Sequence, residues 1–160
     1  MGLDLYARIE PYLDFEEQVR ELHKKFLELV FTRNLNNIID IGCGQGAFLN
    51  HLSANSINCY GIDLSVEQIK VCQAFNLNAD VKALNEVQEK FDCATAIFDV
   101  INYVPNKELQ DFFDDTYAVL NKDGYFIFDV NSYFGFDEVA QGCINIDLEE
   151  KFIAIDANFE

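Results

Sequence analysis

Apolar residues recur along this chain at two different spacings, and the changes of spacing mark its elements. In DFEEQVRELHKKFLELVF (residues 14–31), apolar side chains fall at Val19, Leu22, Phe26, Leu29 and Val30. Steps of three and four place them on one face of a helix. The next segment, NNIIDI (36–41), is a short apolar run and reads as a buried strand. AFLNHLSAN (47–55) reads as a helix and INCYGID (57–63) as a second strand. Ser65 then opens SVEQIKVCQAF, with Gln68 three residues on, a pairing that can satisfy two N–H groups at a helix start. LNADV (77–81) is a short third strand and KALNEVQ (82–88) a weak helix. FDCATAIFDVI (91–101) is a fourth strand, and NKELQDFFDDTYAVL (106–120) a helix with Leu109, Phe112, Phe113, Tyr117 and Leu120 facing inward. Residues 121–124 form a turn, and YFIFDVN (125–131) is a fifth strand.

Strands alternating with helices imply parallel βαβ units and a sheet covered on both faces. The predicted fold class is therefore α/β: a Rossmann-like, doubly wound, mainly parallel sheet. The tail differs. CINIDLEEKFIAIDANFE (143–160) places Ile144, Ile146 and Leu148, then Phe152, Ile153 and Ile155, among polar residues. That pattern predicts an antiparallel hairpin with one solvated face, and its alternation is still running at Glu160.

A length of 160 residues suits a single domain, 1–160, with 1–36 as an N-terminal helical segment and 37–131 as the core. No apolar run approaches the roughly 18 residues of a membrane helix, and MGLDLYARIEPYLDF lacks the apolar centre of a secretory signal. No membrane partner and a cytoplasmic location are expected. The five cysteines, Cys43, Cys59, Cys72, Cys93 and Cys143, form no CxxC pair and are expected to be reduced. His23 and His51 are expected to be surface or packing residues, and no metal site is expected. The formal charge of −17 repels phosphate backbones. It argues against a nucleic-acid partner and for a small or cationic one.

The candidate chemistry lies in IIDIGCGQGAFL (38–49). A strand, a glycine turn and a helix place backbone N–H groups where an anion or a close-packed polar ligand can sit. The segment satisfies G-x-G-x-x-A through Gly42, Gly44 and Ala47, the dinucleotide fingerprint. It also satisfies D-x-G-x-G-x-G through Asp40, Gly42, Gly44 and Gly46. Asp40 favours the second reading. At about 4 Å and an effective dielectric of about 20, a carboxylate and a pyrophosphate repel by on the order of 4 kcal/mol. A cofactor carrying a cationic amine would gain from the same charge. Asp63 ends the second strand 17 residues after Gly46 and can accept from both hydroxyls of a ribose, as it would for NAD. Asp80 follows on the third strand, placed to accept from an adenine amino group, with the Val81 N–H beside it.

DIGCGQG, GIDLS, NADV, FDCATAIFDVINYV and LNKDGYFIFDVN resemble the successive motifs of class I S-adenosylmethionine-dependent methyltransferases of the small-molecule type. The resemblance covers about residues 6–131. It implies that the loop Asp40, Gly42, Cys43, Gly44 and Gly46 cradles the methionine part of S-adenosylmethionine. It implies that Asp63, with Leu64 beside it, binds the ribose, that Asp80 and Val81 bind the adenine, and that Phe98 lies near the methyl group. Tyr6 resembles the N-terminal tyrosine that closes over the cofactor. The implied activity is methyl transfer to a small-molecule acceptor, leaving S-adenosylhomocysteine. Asp99, Tyr103 and Tyr133, beyond the strand ends, are candidates for a general base, and none is assigned to catalysis. Members of the family normally continue with two further strands. The chain is thus expected to be truncated, with 132–160 the start of a substrate-covering β layer and transfer by these residues alone weak or absent. Its tail is expected to be disordered near the end or to pair with a second copy as a homodimer. The rival readings are a non-catalytic module that binds the same cofactor and, disfavoured by Asp40, half of an NAD-binding oxidoreductase.

Overall fold

The structure, a computed structural model, describes residues 16–134, 142–148 and 151–157. In chain order the elements are α1 (Glu16–Thr32), β1 (Asn37–Ile41), α2 (Ala47–Ala54), β2 (Asn58–Asp63), α3 (Val66–Ala74), β3 (Ala79–Val81), β4 (Phe91–Ala96), α4 (Val100–Tyr103), α5 (Leu109–Val119), β5 (Leu120–Phe128), β6 (Gly142–Leu148) and β7 (Lys151–Ala157). Strands β1 to β5 form one parallel sheet in the order β3-β2-β1-β4-β5. This is the Rossmann-like arrangement that the alternation of elements predicts. The chain winds outward from β1 to β3, then returns to lay β4 on the other side of β1. Such a reversal opens a crevice at the carboxyl ends of the strands, here β1 and β4.

The central strand explains its own sequence. Ile38 faces Phe26 and Val30 of α1, Phe48 and Leu52 of α2, and Cys93. Ile39 and Ile41 face the opposite cluster, with Leu84, Val87, Phe91 and Val119. A strand packed on both faces must be apolar at successive positions, and both Ile38 and Ile39 are fully buried. Asp40 lies in the same run and is buried too, so its charge is an exception with a cost.

Several boundaries differ from expectation. β4 stops at Ala96, and residues 100–103 turn into a short helix. The break is conformational: Phe98 and Asp99 both have φ of +68°, which no strand accommodates. KALNEVQ forms only a 3₁₀ turn, Leu84–Glu86. On α5 the buried residues are Thr116 and Val119, whereas Tyr117 is 81% exposed. At about 100° per residue, Tyr117 sits about 80° around the helix from Leu109, at the margin of the inward face. Leu29 of α1 is exposed for a similar reason, beside the buried Phe26 and Val30. The predicted turn at 121–124 lies inside β5. Pairing jumps from Phe91↔Leu120 to Cys93↔Tyr125, and Asp123 takes φ +64°. The tail hairpin forms as the alternation predicts, β6 against β7 antiparallel, from Leu148↔Lys151 to Gly142↔Ala157. Among the described residues, no helix is long and apolar enough to cross a membrane.

Candidate functional site

The link from β1 to α2 turns on three glycines in the left-handed region: Gly42 at φ +71°, Gly44 at +53° and Gly46 at +80°. An L-residue there costs roughly 1–2 kcal/mol. Their surroundings differ. A Cβ on Gly42 would meet Val100 at 2.7 Å, and one on Gly46 would meet Leu77 at 2.6 Å and Cys72 at 2.9 Å. A Cβ on Gly44 would meet nothing within 4 Å. Gly42 and Gly46 are therefore held by packing, while Gly44 faces open space above the loop.

The backbone donors of this loop are largely used within the chain. Gly42 N and Cys43 N donate to Ile62 O at 2.8 and 3.0 Å, and Gly46 N to Cys43 O at 2.9 Å. Gly44 N donates to Asp63 Oδ2 at 2.9 Å. Of the two occupants expected from the sequence, an anion or a close-packed polar ligand, these bonds favour the second. A pyrophosphate approaching Gly44 would meet the Asp63 carboxylate that already holds the Gly44 N–H. The Cys72 thiol donates to Gly44 O at 3.2 Å and pins the loop from below. Cys43 is buried, and its thiol is held far above the ordinary range by its hydrogen bond with Cys72 and by burial. It is a packing group. The cysteines whose side chains are described, Cys43, Cys59, Cys72 and Cys93, are free thiols.

Asp40 sits beneath the loop, 3% exposed, and accepts from Thr95 Oγ1 at 2.7 Å. Burial pushes its pKa up to about 7; the Thr95 hydrogen bond opposes the rise and the charge of Asp63 adds to it. This alters the electrostatic argument made from sequence. At neutral pH a group of that pKa is roughly half protonated, so repulsion of a phosphate could be relieved by taking up a proton at little cost. Asp40 discriminates against a pyrophosphate mainly above neutral pH. At neutral pH Asp63, which holds the Gly44 N–H, carries that discrimination.

Asp63 joins two segments. Its Oδ2 takes the Gly44 N–H, and its Oδ1 takes the Ser65 N–H at 2.8 Å. A carboxylate has about four lone-pair sites, which leaves acceptor capacity for a ligand's hydroxyls. Next to it Leu64 is 64% exposed, and Val81 on the neighbouring strand 48%. Large apolar groups standing in solvent at adjacent strand ends suit the faces of a planar ring. β3 is the outer strand of the sheet, and Lys82 N and Asn78 O, on either side of it, bond to β2. By the alternation of a strand ladder, the Val81 N–H points away from β2, off the edge. Asp80 is exposed and accepts from Tyr60 Oη at 3.0 Å. Its position opposite Ile62, where Val81 pairs with Asp63, places it on the other face of the sheet from Asp63. Thus Asp40, the glycines and Asp63 form one cluster, Leu64 and Val81 flank it, and Asp80 stands apart. Tyr6 lies outside the described residues.

Across the crevice, Phe98 packs its ring against the α1–α2 side of the core. Asp99 precedes α4, yet its carboxylate makes no capping bond to that helix. Burial pushes the Asp99 pKa up, with the charge of Asp129 adding and a hydrogen bond from Asn131 opposing. Tyr103, 58% exposed, is also pushed up, by burial and then by Asp99. Tyr133 is 70% exposed. The sequence reading missed Asp129, whose two carboxylate oxygens take the N–H groups of Phe98 at 2.7 Å and Asp99 at 3.1 Å. The signal was present: Asp129 follows a strand just as Asp63 ends one. It also missed Thr95 and Tyr60, the partners of Asp40 and Asp80. His23 is a packing residue as expected. It is buried with its ring 5.2 Å from Phe48 and 5.3 Å from His51, and burial, then His51, lowers its pKa to about 4.

Comparison with known proteins points one way. The sequence profile of a family described as "Methyltransferase domain" matches residues 15–147. A protein of Geobacillus sp. (strain WCH70) named as a methyltransferase is 27% identical over 137 residues, covering 80% of this chain and 56% of its own length. The Bacillus subtilis (strain 168) protein YqeM, also named as a methyltransferase, is 28% identical over 131 residues, covering 76% of this chain and 53% of its own. The chain thus spans about half the length of these curated relatives. Among solved structures, an S-adenosylmethionine-dependent methyltransferase from Clostridium acetobutylicum ATCC 824 superposes with a TM-score of 0.76 at 25% identity, over 98% of this chain and 68% of that one. Streptomyces venezuelae DesVI shares the fold, with a TM-score of 0.73 at 15% identity over 96% of this chain and 69% of that one.

Proposed function

The chain belongs to the methyltransferase-domain family, and we propose that it binds S-adenosylmethionine in the glycine cradle and directs its methyl group to a small-molecule acceptor. The observation that carries this reading is the cradle itself: Gly44 opens onto free space while Asp63 grips its N–H and Asp40 lies beneath. The Clostridium acetobutylicum neighbour, whose fold this chain shares along nearly its whole length, supports the choice of cofactor.

The residues present fit that cofactor. The loop 40–46 and Asp40 would hold the methionine part, Asp63 the ribose, Leu64 and Val81 the adenine faces with Asp80 at its edge, and Phe98 the wall nearest the methyl group. Bound there, the cofactor supplies an electrophilic methyl on a sulfonium, so the hard chemistry is its own. What the chain supplies is alignment. Fixing an acceptor atom in line with the bond to be broken can provide roughly 7–11 kcal/mol of the barrier. Asp99 and Tyr103 stand at the carboxyl end of β4, where an acceptor would approach. The raised pKa of Asp99 moves its carboxylate toward the range of a general base, which is needed only if the acceptor keeps its proton at neutral pH. The β6–β7 hairpin would begin the layer that covers the acceptor. The charge of −17 supports a small-molecule acceptor over a nucleic acid.

Ultraviolet crosslinking with methyl-labelled S-adenosylmethionine tests the placement. Label is expected on peptides containing residues 40–46, 63–64 and 80–81, and excess S-adenosylhomocysteine is expected to remove it. Label confined to the α1 surface, or indifferent to that competitor, would overturn it.

A further inference from the structure

The bend after β4 is held by residues that lie just past the end of β5. Phe98 and Asp99 are consecutive non-glycine residues with φ of +68°. Residues in this region persist only where their surroundings enforce the conformation. The two oxygens of Asp129 supply that enforcement, accepting from Phe98 N at 2.7 Å and Asp99 N at 3.1 Å. Asp129 is itself anchored, since its own N–H reaches Ala96 O at 3.4 Å, directly past the Ala96↔Phe128 pair. A second tie follows: Asn131 N donates to Asn102 Oδ1 at 2.8 Å, and Asn102 Nδ2 returns to Asn131 O at 3.3 Å. Residues 129–131 therefore staple residues 98–102 at the mouth of the crevice.

We propose that Asp129 is a positioning residue that fixes the Phe98–Asp99 bend and thereby sets the wall against which the acceptor meets the cofactor. The inference rests on the cofactor reading above for its consequence, and on the hydrogen bonds alone for its geometry. The carboxylate meets the two converging N–H groups with one oxygen each. An asparagine offers one oxygen and turns an N–H₂ toward the other donor. The carboxylate also acts on Asp99 through its charge. The groups bearing on Asp99 are Asp129 from the end of β5, the hydrogen-bonding Asn131, and Tyr103 from α4, so removing the Asp129 charge removes its anionic neighbour from β5.

The test compares the wild-type chain with Asp129→Asn and Asp129→Glu by NMR and by calorimetric titration of S-adenosylhomocysteine. In the wild type, the Phe98 and Asp99 amide protons are expected to resonate downfield and exchange slowly. In Asp129→Asn both signals should move and lose protection. The Asp99 side-chain carboxyl should titrate at lower pH, and affinity for S-adenosylhomocysteine should fall about tenfold. Asp129→Glu should restore the Asp99 titration in part. The Asp99 titration reports the lost charge; a purely structural role would lower the melting temperature and leave the affinity of the folded protein for S-adenosylhomocysteine unchanged, which would overturn the proposal. If Asp129→Asn does not fold, the wild-type amides decide: ordinary shifts and fast exchange at Phe98 and Asp99 would refute the grip. Failure of the wild type to bind S-adenosylhomocysteine would count against the cofactor reading, while the ligand-free amide and carboxyl signals would still judge Asp129.

Discussion

Asp63→Ala is expected to lower the affinity for S-adenosylhomocysteine about 100-fold. Two losses combine. The ribose loses its acceptor, and an unsatisfied polar contact of this kind costs roughly 1–3 kcal/mol. The loop also loses its fastening, because Gly44 N and Ser65 N both donate to this carboxylate. With Gly44 released, the cradle must be ordered by the ligand at the moment of binding, and that ordering opposes affinity. The same two orphaned donors should lower the stability of the ligand-free protein by on the order of 1–3 kcal/mol. Calorimetric titration, with thermal melts alongside, separates the effects. Asp63→Ala that melts lower but binds as the wild type does would mean that Asp63 is a scaffold residue only.

Asp40→Asn is expected to move stability and binding in opposite directions. The sign follows from the pKa. Folding raises the Asp40 pKa from 3.8 to about 7. Its contribution to stability is thus fully present below the unfolded value and is lost as pH rises through about 7. At pH 8 the carboxylate is ionised and buried, and the rise of its pKa from 3.8 to about 7 bounds its cost at roughly 4 kcal/mol. Asparagine keeps the shape and can still accept from Thr95, so the ligand-free variant should melt about 5 °C higher than the wild type at pH 8, with the difference vanishing near pH 4. Binding of a ligand with a cationic amine draws on the ionised form. Wild-type affinity for S-adenosylhomocysteine should therefore rise about tenfold from pH 6 to pH 8, as the cost of removing a proton from a group of pKa about 7 disappears. The variant should show weaker binding and no such rise. A variant that melts below the wild type at pH 8 would mean that the ionised carboxylate stabilises the fold, and this account of Asp40 would be wrong.

Much of the architecture was legible because it is written in periodicity. The continuous apolar run at β1, the stepped apolar positions of α1 and the alternation of the tail each specify one kind of packing. What escaped was set by backbone conformation and by partners far along the chain. FDCATAIFDVI is apolar enough to continue as a strand, and nothing local to it announces positive φ at Phe98 and Asp99. Their stabiliser, Asp129, is 30 residues away from Asp99. The acids of the site were visible as residues within or at the ends of strands, but their states were not. Asp40 reads as a charge in sequence, and only its burial against Thr95 makes it a group that titrates near neutrality. The glycine loop was found by its spacing. That its N–H groups are spent on Ile62, Cys43 and Asp63 depends on how β2 lies against it. Tyr117 shows the limit of the helical pattern, which locates a face well and its margin poorly.

The central claim is that the open side of Gly44 receives S-adenosylmethionine. Calorimetric titration of S-adenosylhomocysteine and of NAD into the wild-type chain and into Gly44→Ala tests it most directly. Since a Cβ there meets no neighbour, the variant should fold with only the roughly 1–2 kcal/mol penalty of a left-handed alanine. Its methyl group would stand where the ligand must approach. The account predicts that the wild type binds S-adenosylhomocysteine and binds NAD far more weakly, and that the folded variant loses S-adenosylhomocysteine binding by tenfold or more. Tighter binding of NAD than of S-adenosylhomocysteine by the wild type, or unchanged binding of S-adenosylhomocysteine by Gly44→Ala, would contradict it.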